Sequence, residues 1–269
     1  MSEEKLLIIH MDDIGMNYAC NEAAKDLFKK GIVTSASIMV PCAWSYDFIQ
    51  WCRDKSEYDV GIHSTLTCEW NACRWRPLLD KSHVPGLTGS DGFMHKGNEV
   101  VLSRATPDEI NQEIRAQVNQ AISWGLKPTH LDRHMYTICM RPDFFEEYIT
   151  IAKENNIPYQ MNSKEYDAID KISQRVPVKK FDGSVSSGDG KDYETKKASL
   201  MQALEEMQPG FYQLTIHPVK NTPEIGEIIP EWMDRYLEYQ LFMDNDILEY
   251  INKLGIKRVS WRSMISNHL

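Results

Sequence analysis

"LLIIHMDDIG", Leu6 to Gly15, is the stretch on which the reading of this chain turns. It opens with the unbroken apolar character of a strand buried on both faces. His10, Asp12 and Asp13 then fall where such a strand should be leaving the core. Neighbours on a regular strand point to opposite faces. Both aspartates can therefore reach one side only if the strand ends here and the backbone turns, and Gly15 suits that turn. One carboxylate could then bind a cation while the other moves a proton. The alternative is that one caps the following helix and the other is solvated.

Working outward, apolar runs alternate with helical periods along the whole chain. "SASIMV" (35–40), "VGIHSTL" (60–66), "PTHLDRH" (128–134), "PYQMN" (158–162), "FYQLTIH" (211–217) and "KRVSWR" (257–262) join the first run to predict about seven strands. The clearest helix start is Thr106-Pro107-Asp108-Glu109, with an N-cap threonine, proline at the first helical position and an acid that completes a capping box. Ile110, Ile114, Val118 and Ile122 give that helix one apolar face. Helices stop at Gly31, Gly125, Gly255 or the Asn155-Asn156 pair, residues that accept the left-handed backbone of a helix end.

Helix, stop and strand in repetition predict an α/β fold with a parallel sheet, either a complete or incomplete βα barrel or a doubly wound sheet. The expectation carried forward is a single-domain (β/α) barrel over residues 1–269, incomplete or distorted, with about seven parallel strands. Two long connections interrupt the rhythm. Residues 68–105 are expected to form a substrate lid, in which Trp70, Arg74 and Trp75 either face a sugar ring or anchor the loop to the core. Residues 163–195 are expected to be a mobile or cleft-lining loop.

Composition narrows the function. With 269 residues, 42 % of them hydrophobic, the chain can bury a sizeable core. A formal net charge of −9 and a pI near 5.4 argue against nucleic acid or an anionic membrane as partner, and for a neutral or cationic small molecule. No apolar run is long enough to span a bilayer, and the N-terminus lacks the h-region and cleavage site of a secretory signal, so a cytoplasmic location is expected. The six cysteines include no C-x-x-C pair and read as reduced, mostly buried thiols.

The polar residues collect at strand ends: Asp12 and Asp13 on the first, His63 in the third, His134 on "PTHLDRH" and His217 on "FYQLTIH". In a βα barrel those ends share one rim, where active sites are built. His130, Asp132 and His134 stand at i, i+2 and i+4 and so share a strand face, where polar groups must bind something or one another. Asp132 is placed to hold the second nitrogen of His134 or His130. Two histidines and a carboxylate make a three-ligand divalent-metal site with positions open for water. His130-x-Asp132 with His217 also fits the facial triad of a non-haem iron oxygenase, although that triad is expected on an all-β jelly roll. His83, His95 and His268 are assigned no role.

On these residues the chain resembles the YdjC-like family of carbohydrate deacetylases, which includes the chitooligosaccharide deacetylases. The family's N-A-D-D-F-G is matched by "HMDDIG", its G-I-V-T-S by Gly31 to Ser35, and its G-[IL]-H-x-x-L-T by Gly61 to Thr67. Its P-T-H-L-D-S-H is matched by Pro128 to His134, and its late H-P by His217-Pro218. The likeness extends to the closing "LGI" and "SWR", and so spans nearly the whole chain. It implies one divalent metal held by Asp13, His63 and His134, with Asp12 as general base and His217 as candidate general acid. The reaction implied is removal of N-acetyl groups from N-acetylglucosamine-type oligosaccharides by a homodimer. The resemblance points to magnesium, whereas ligand softness favours zinc. A sugar-binding module that has lost turnover is a further possibility. The chain departs from the pattern at His10, Ile14 and Arg133, and in Met135-Tyr136-Thr137 where the family often has further histidines.

Overall fold

Alternation along β1 (Lys5–Ile14) sets the architecture. Leu7, Ile9 and Met11 belong to the large apolar cluster shared with the helices, whereas Ile8 packs with Phe181, Phe211 and Trp261 in a separate small one. His10 stands on the same face as Ile8. One side of the strand thus meets helices, and the other an apolar plug with polar residues above it.

The computed structural model describes residues 4–160 and 181–266. β1 runs through the middle of a seven-stranded sheet whose strand pairs are all parallel. On one side follow β2 (Ser35–Ile38), β3 (Val60–Ser64) and β4 (Leu131–Arg133). On the other lie β5 (Gly183–Val185) at the edge and β6 (Gly210–Ile216) next to β1, while β7 (Lys257–Arg258) pairs with Leu6 and Leu7. On a flat sheet β1 and β4 would stand about 14 Å apart, three inter-strand spacings. Yet His10 Nε2 and Asp132 Oδ2 are 2.9 Å apart. The sheet is therefore curled into a half-barrel, and among the described residues no strand pair joins β4 to β5, so the barrel is incomplete.

The helices are α1 (Tyr18–Lys30), α2 (Ser45–Cys52), α3 (Asn98–Arg104), α4 (Pro107–Ser123), α5 (Pro142–Glu154), α6 (Tyr193–Glu205), α7 (Ile225–Ile228), α8 (Trp232–Met243), α9 (Asn245–Lys253) and α10 (Trp261–Ser266). α1 begins where the Asn17 side chain accepts from the Cys20 N–H, and ends at Gly31 with φ 75°. The expected capping box opens α4, Thr106 and Glu109 each bonding the other's backbone. Its apolar face is shorter than expected: Ile110, Ile114 and Val118 are buried but Ile122 is exposed. Four residues turn a helix by 400°, so each step drifts 40°, and by the third step Ala121 has taken the inward position.

The seven strands are not the seven expected. "PYQMN" supplies a single bridge, Leu131 to Tyr159, and its last two residues lie outside the described ones, as does His268. "KRVSWR" is strand only at Lys257–Arg258 before α10 begins. The 163–195 connection contributes β5 and the start of α6, and its residues 163–180 lie outside the described ones.

Residues 68–105, the expected lid, form a wall that is hydrogen-bonded to the body of the fold. The Cys68 N–H donates to the His95 carbonyl, and the Leu78 and Leu79 N–H groups donate to Glu113 on α4. Trp75 is buried with Nε1–H on the Thr67 carbonyl, so it anchors the wall. All six cysteines are free, and burial pushes the Cys20 and Cys52 thiols up to about 12, leaving them inert. No described helix is long and apolar enough to cross a membrane.

Candidate active site

The two aspartates reach one side by a bulge inside the strand. Met11 pairs with Ala36 and Ile14 with Ile38, so β1 spends three residues where β2 spends two. The extra residue is accommodated at Asp13, whose φ of 62° lies in the left-handed region. The strand continues to Ile14, so the bulge at Asp13 brings both aspartates to one side, and the chain then turns at Gly15, whose φ is 92°. Asp12 and Asp13 both face the barrel mouth, and Ile14 returns to the apolar cluster.

Three ligand atoms from three strand ends meet there. Asp13 Oδ1 lies 3.5 Å from His63 Nε2 and 3.2 Å from His134 Nδ1, and the three residues form a group whose ligand atoms are all within 4.8 Å of one another. All three are buried. Asp13 Oδ1 is itself buried and accepts no hydrogen bond. A buried carboxylate oxygen with ion-pair neighbours but no well-aligned hydrogen bond is under-satisfied. Between two imidazole nitrogens it has the position and chemistry of a cation ligand, so the residues fit a divalent metal.

Each of these groups is held from behind. Asp132 Oδ2 lies 3.3 Å from His63 Nδ1 and accepts from the Ser37 hydroxyl at 3.0 Å and from His10 Nε2 at 2.9 Å. It therefore supports His63, not His134 or His130. The outer nitrogen of His134, Nε2, lies 3.0 Å from both oxygens of Glu69. The Arg235 guanidinium on α8 donates to Asp13 Oδ2 at 2.7 Å. Asp12 Oδ1 lies 3.0 Å from His10 Nε2, leaving Oδ2 facing the mouth, 4.0 Å from His63 Nε2 and 3.7 Å from His217 Nε2.

Four carboxylates, Asp12, Asp13, Asp132 and Glu69, thus interleave with four basic groups, His10, His63, His134 and Arg235. Burial works against a charged His10, but Asp12 and Asp132 outweigh it and push the ring up to about 9. His134 is likewise pushed up to about 9 against burial, by Asp13 and Glu69. His63 is raised well above its ordinary value against burial, by Asp12 and Asp132. Burial would raise the Asp13 carboxyl, but the Arg235 charge and the two imidazoles hold it well below the carboxylate range.

His217 is half-buried at the mouth, its backbone N–H bound to Glu238 Oε2 at 2.7 Å; Ser187 binds the other oxygen. His130 takes no part in the cation group. Its ring stacks on Trp261 with centroids 4.9 Å apart and bonds Thr129 through Nδ1. His130, Asp132 and His217 do not converge as an oxygenase triad requires: Asp132 is engaged by His10 and His63, and His217 faces Asp12. The expected common face of His130, Asp132 and His134 fails because β4 ends at Arg133. His134 then enters a 3-10 turn in which Met135 and Tyr136 take left-handed backbone, φ 54° and 57°.

The sequence reading did not find Glu69, Ser37, Arg235 or Glu238. Glu69 directly follows the long run from Val60, and its place beyond a strand end was the one available signal.

A family model described as YdjC-like protein matches residues 6–253. A carbohydrate deacetylase of Thermus thermophilus is 30 % identical over 244 residues, 87 % of this chain and 85 % of the relative. A chitooligosaccharide deacetylase of Yersinia enterocolitica is 30 % identical over 167 residues, 60 % of this chain and 61 % of the relative. A crystal structure of an Enterococcus faecalis V583 protein, described in terms of cellobiose-phosphate cleavage, superimposes with a TM-score of 0.81 at 22 % identity, covering 97 % of this chain and 98 % of that one.

Proposed function

The chain belongs to the YdjC-like family, and from that premise we propose that it is a metal-dependent deacetylase that hydrolyses N-acetyl groups on N-acetylglucosamine-type oligosaccharides. The observation that carries the metal reading is the buried Asp13 Oδ1, without a hydrogen bond and facing His63 Nε2 and His134 Nδ1. The relatives' names support the substrate class.

Asp13, His63 and His134 would hold the cation, which when bound polarises the amide carbonyl and makes water a stronger nucleophile. Asp12 has one oxygen engaged by His10 and the other turned to the mouth, where it takes the proton of the attacking water. The amide C–N bond breaks, acetate leaves, and His217 delivers a proton to the departing nitrogen. Glu238 fixes the backbone from which that imidazole projects. A single domain and a homodimer belong to the same reading, and light scattering on the eluting protein tests the dimer. Zinc suits the two imidazoles and magnesium the family resemblance, so both are assayed.

The experiment is acetate release from N-acetylglucosamine oligomers by metal-reconstituted protein, with Asp12→Asn beside the wild type. Asp12→Asn should keep its cation and lose on the order of 10²–10⁴ in kcat, the usual worth of a general base. Wild-type rates in Asp12→Asn remove the base assignment. Oligomer binding without acetate release from any substrate supports the sugar-binding module instead.

A further inference from the structure

We infer that Arg235 is a positioning residue of the candidate metal centre: it occupies one oxygen of Asp13 and so reserves the other for the cation. This rests on the metal reading above.

The two oxygens of Asp13 have opposite surroundings. Oδ2 accepts from Arg235 Nη1 at 2.7 Å, while Oδ1 accepts no hydrogen bond and faces His63 and His134. The partner comes from α8, 222 residues along the chain, with a side chain only 15 % exposed. The guanidinium also lies over Trp70, its carbon 5.5 Å from the ring centroid. Trp70 follows Glu69, the residue that holds His134. Two adjacent residues of the 68–105 wall thus touch His134 directly and Asp13's partner Arg235.

Charge shows what Arg235 is not for. A permanent positive charge bonded to a cation's own ligand opposes that cation. Its contribution is therefore not affinity. A free carboxylate can close on a cation with one oxygen or both. A guanidinium keeps its proton at any working pH, so it cannot release Oδ2 by titrating. By holding Oδ2, Arg235 keeps Asp13 from occupying space that the reacting water and carbonyl need.

The sign of the effect separates this role from a scaffolding one. Full-length wild type, Arg235→Gln and Arg235→Lys are stripped, reloaded with Mn²⁺ or Co²⁺, and compared by Mn²⁺ affinity, Co²⁺ visible absorption, kcat and KM. Arg235→Gln should bind Mn²⁺ at least as tightly as wild type and show weaker Co²⁺ bands, as an added ligand oxygen produces. Its kcat should fall about 10- to 100-fold with KM within about twofold, and Arg235→Lys should recover part of that loss. Unchanged Co²⁺ bands with unchanged kcat overturn the inference, and so does loss of Mn²⁺ affinity together with kcat, which makes Arg235 a scaffold residue. If wild type takes up neither cation, the metal reading falls and this inference with it. If wild type loads its cation but releases no acetate, the deacetylase reading fails, and the affinity and absorption measurements decide Arg235 alone.

Discussion

Glu69 sits against the outer edge of His134, both carboxylate oxygens 3.0 Å from Nε2, while Nδ1 on the other edge faces Asp13. A carboxylate behind a ligand histidine fixes the ring's orientation and raises its basicity. Glu69→Ala should therefore weaken Mn²⁺ binding by about 10- to 100-fold, with Glu69→Gln at the mild end because its carbonyl can still accept. Calorimetric titration measures this directly. Wild-type affinity in Glu69→Ala would show that His134 needs no support.

Metal uptake should release protons. In metal-free protein Asp13 and Glu69 push His134 up to about 9 and Asp12 and Asp132 raise His63 above its ordinary value, both against burial, so the surroundings of both rings favour the protonated form. Cation binding requires them neutral. Loading at pH 7 should release about two protons, one per imidazole. Titration in buffers of different ionisation enthalpy counts them, and a value near zero contradicts the assignment of the two rings as ligands.

His10 gives the stability of metal-free protein a defined pH dependence. Its pKa is raised from 6.5 to about 9 in the folded chain. A raised value means that the stabilisation is fully present below 6.5 and is lost as pH rises through about 9. The urea midpoint of metal-free protein should fall between pH 7 and 10. His10→Ala should lose roughly 1–3 kcal/mol at pH 7, because it takes from the buried Asp132 carboxylate one of its two imidazole partners, and should flatten that pH dependence. A loss under about 1 kcal/mol, the worth of one ordinary hydrogen bond, would mean that His10 is not charged.

The outline of this site is legible in the sequence because three of its residues obey strand rules. Asp13, His63 and His134 each stand at the carboxyl end of an apolar run, and a parallel curled sheet gathers such ends. Arg235 and Glu238 escape that logic, being charged residues on a helix, where charge is ordinary. What marks them is contact with Asp13 and with the backbone of His217, which only the fold brings about. Asp132 falls between these cases. Its strand position is readable, but its partners depend on how sharply the sheet curls, which brings His10 to it across two intervening strands.

The fold class came from the helix–stop–strand rhythm, and the errors lie where that rhythm has no say. Met135 and Tyr136 adopt a backbone that L-residues seldom take, so no propensity could announce that the strand stops at Arg133. β5 is three residues long, Gly-Ser-Val, and is a strand only because the edge of β6 is there to receive it.

The extra residue at Asp13 has a genetic corollary. Deleting one codon between those for Met11 and Ile14 would remove Asp12 or Asp13 itself and leave a β1 that could run in unbroken step with β2. Only one aspartate could then look into the mouth, so a healthy hydrophobic core and an extinguished active centre would be separated by a single amino acid's worth of length.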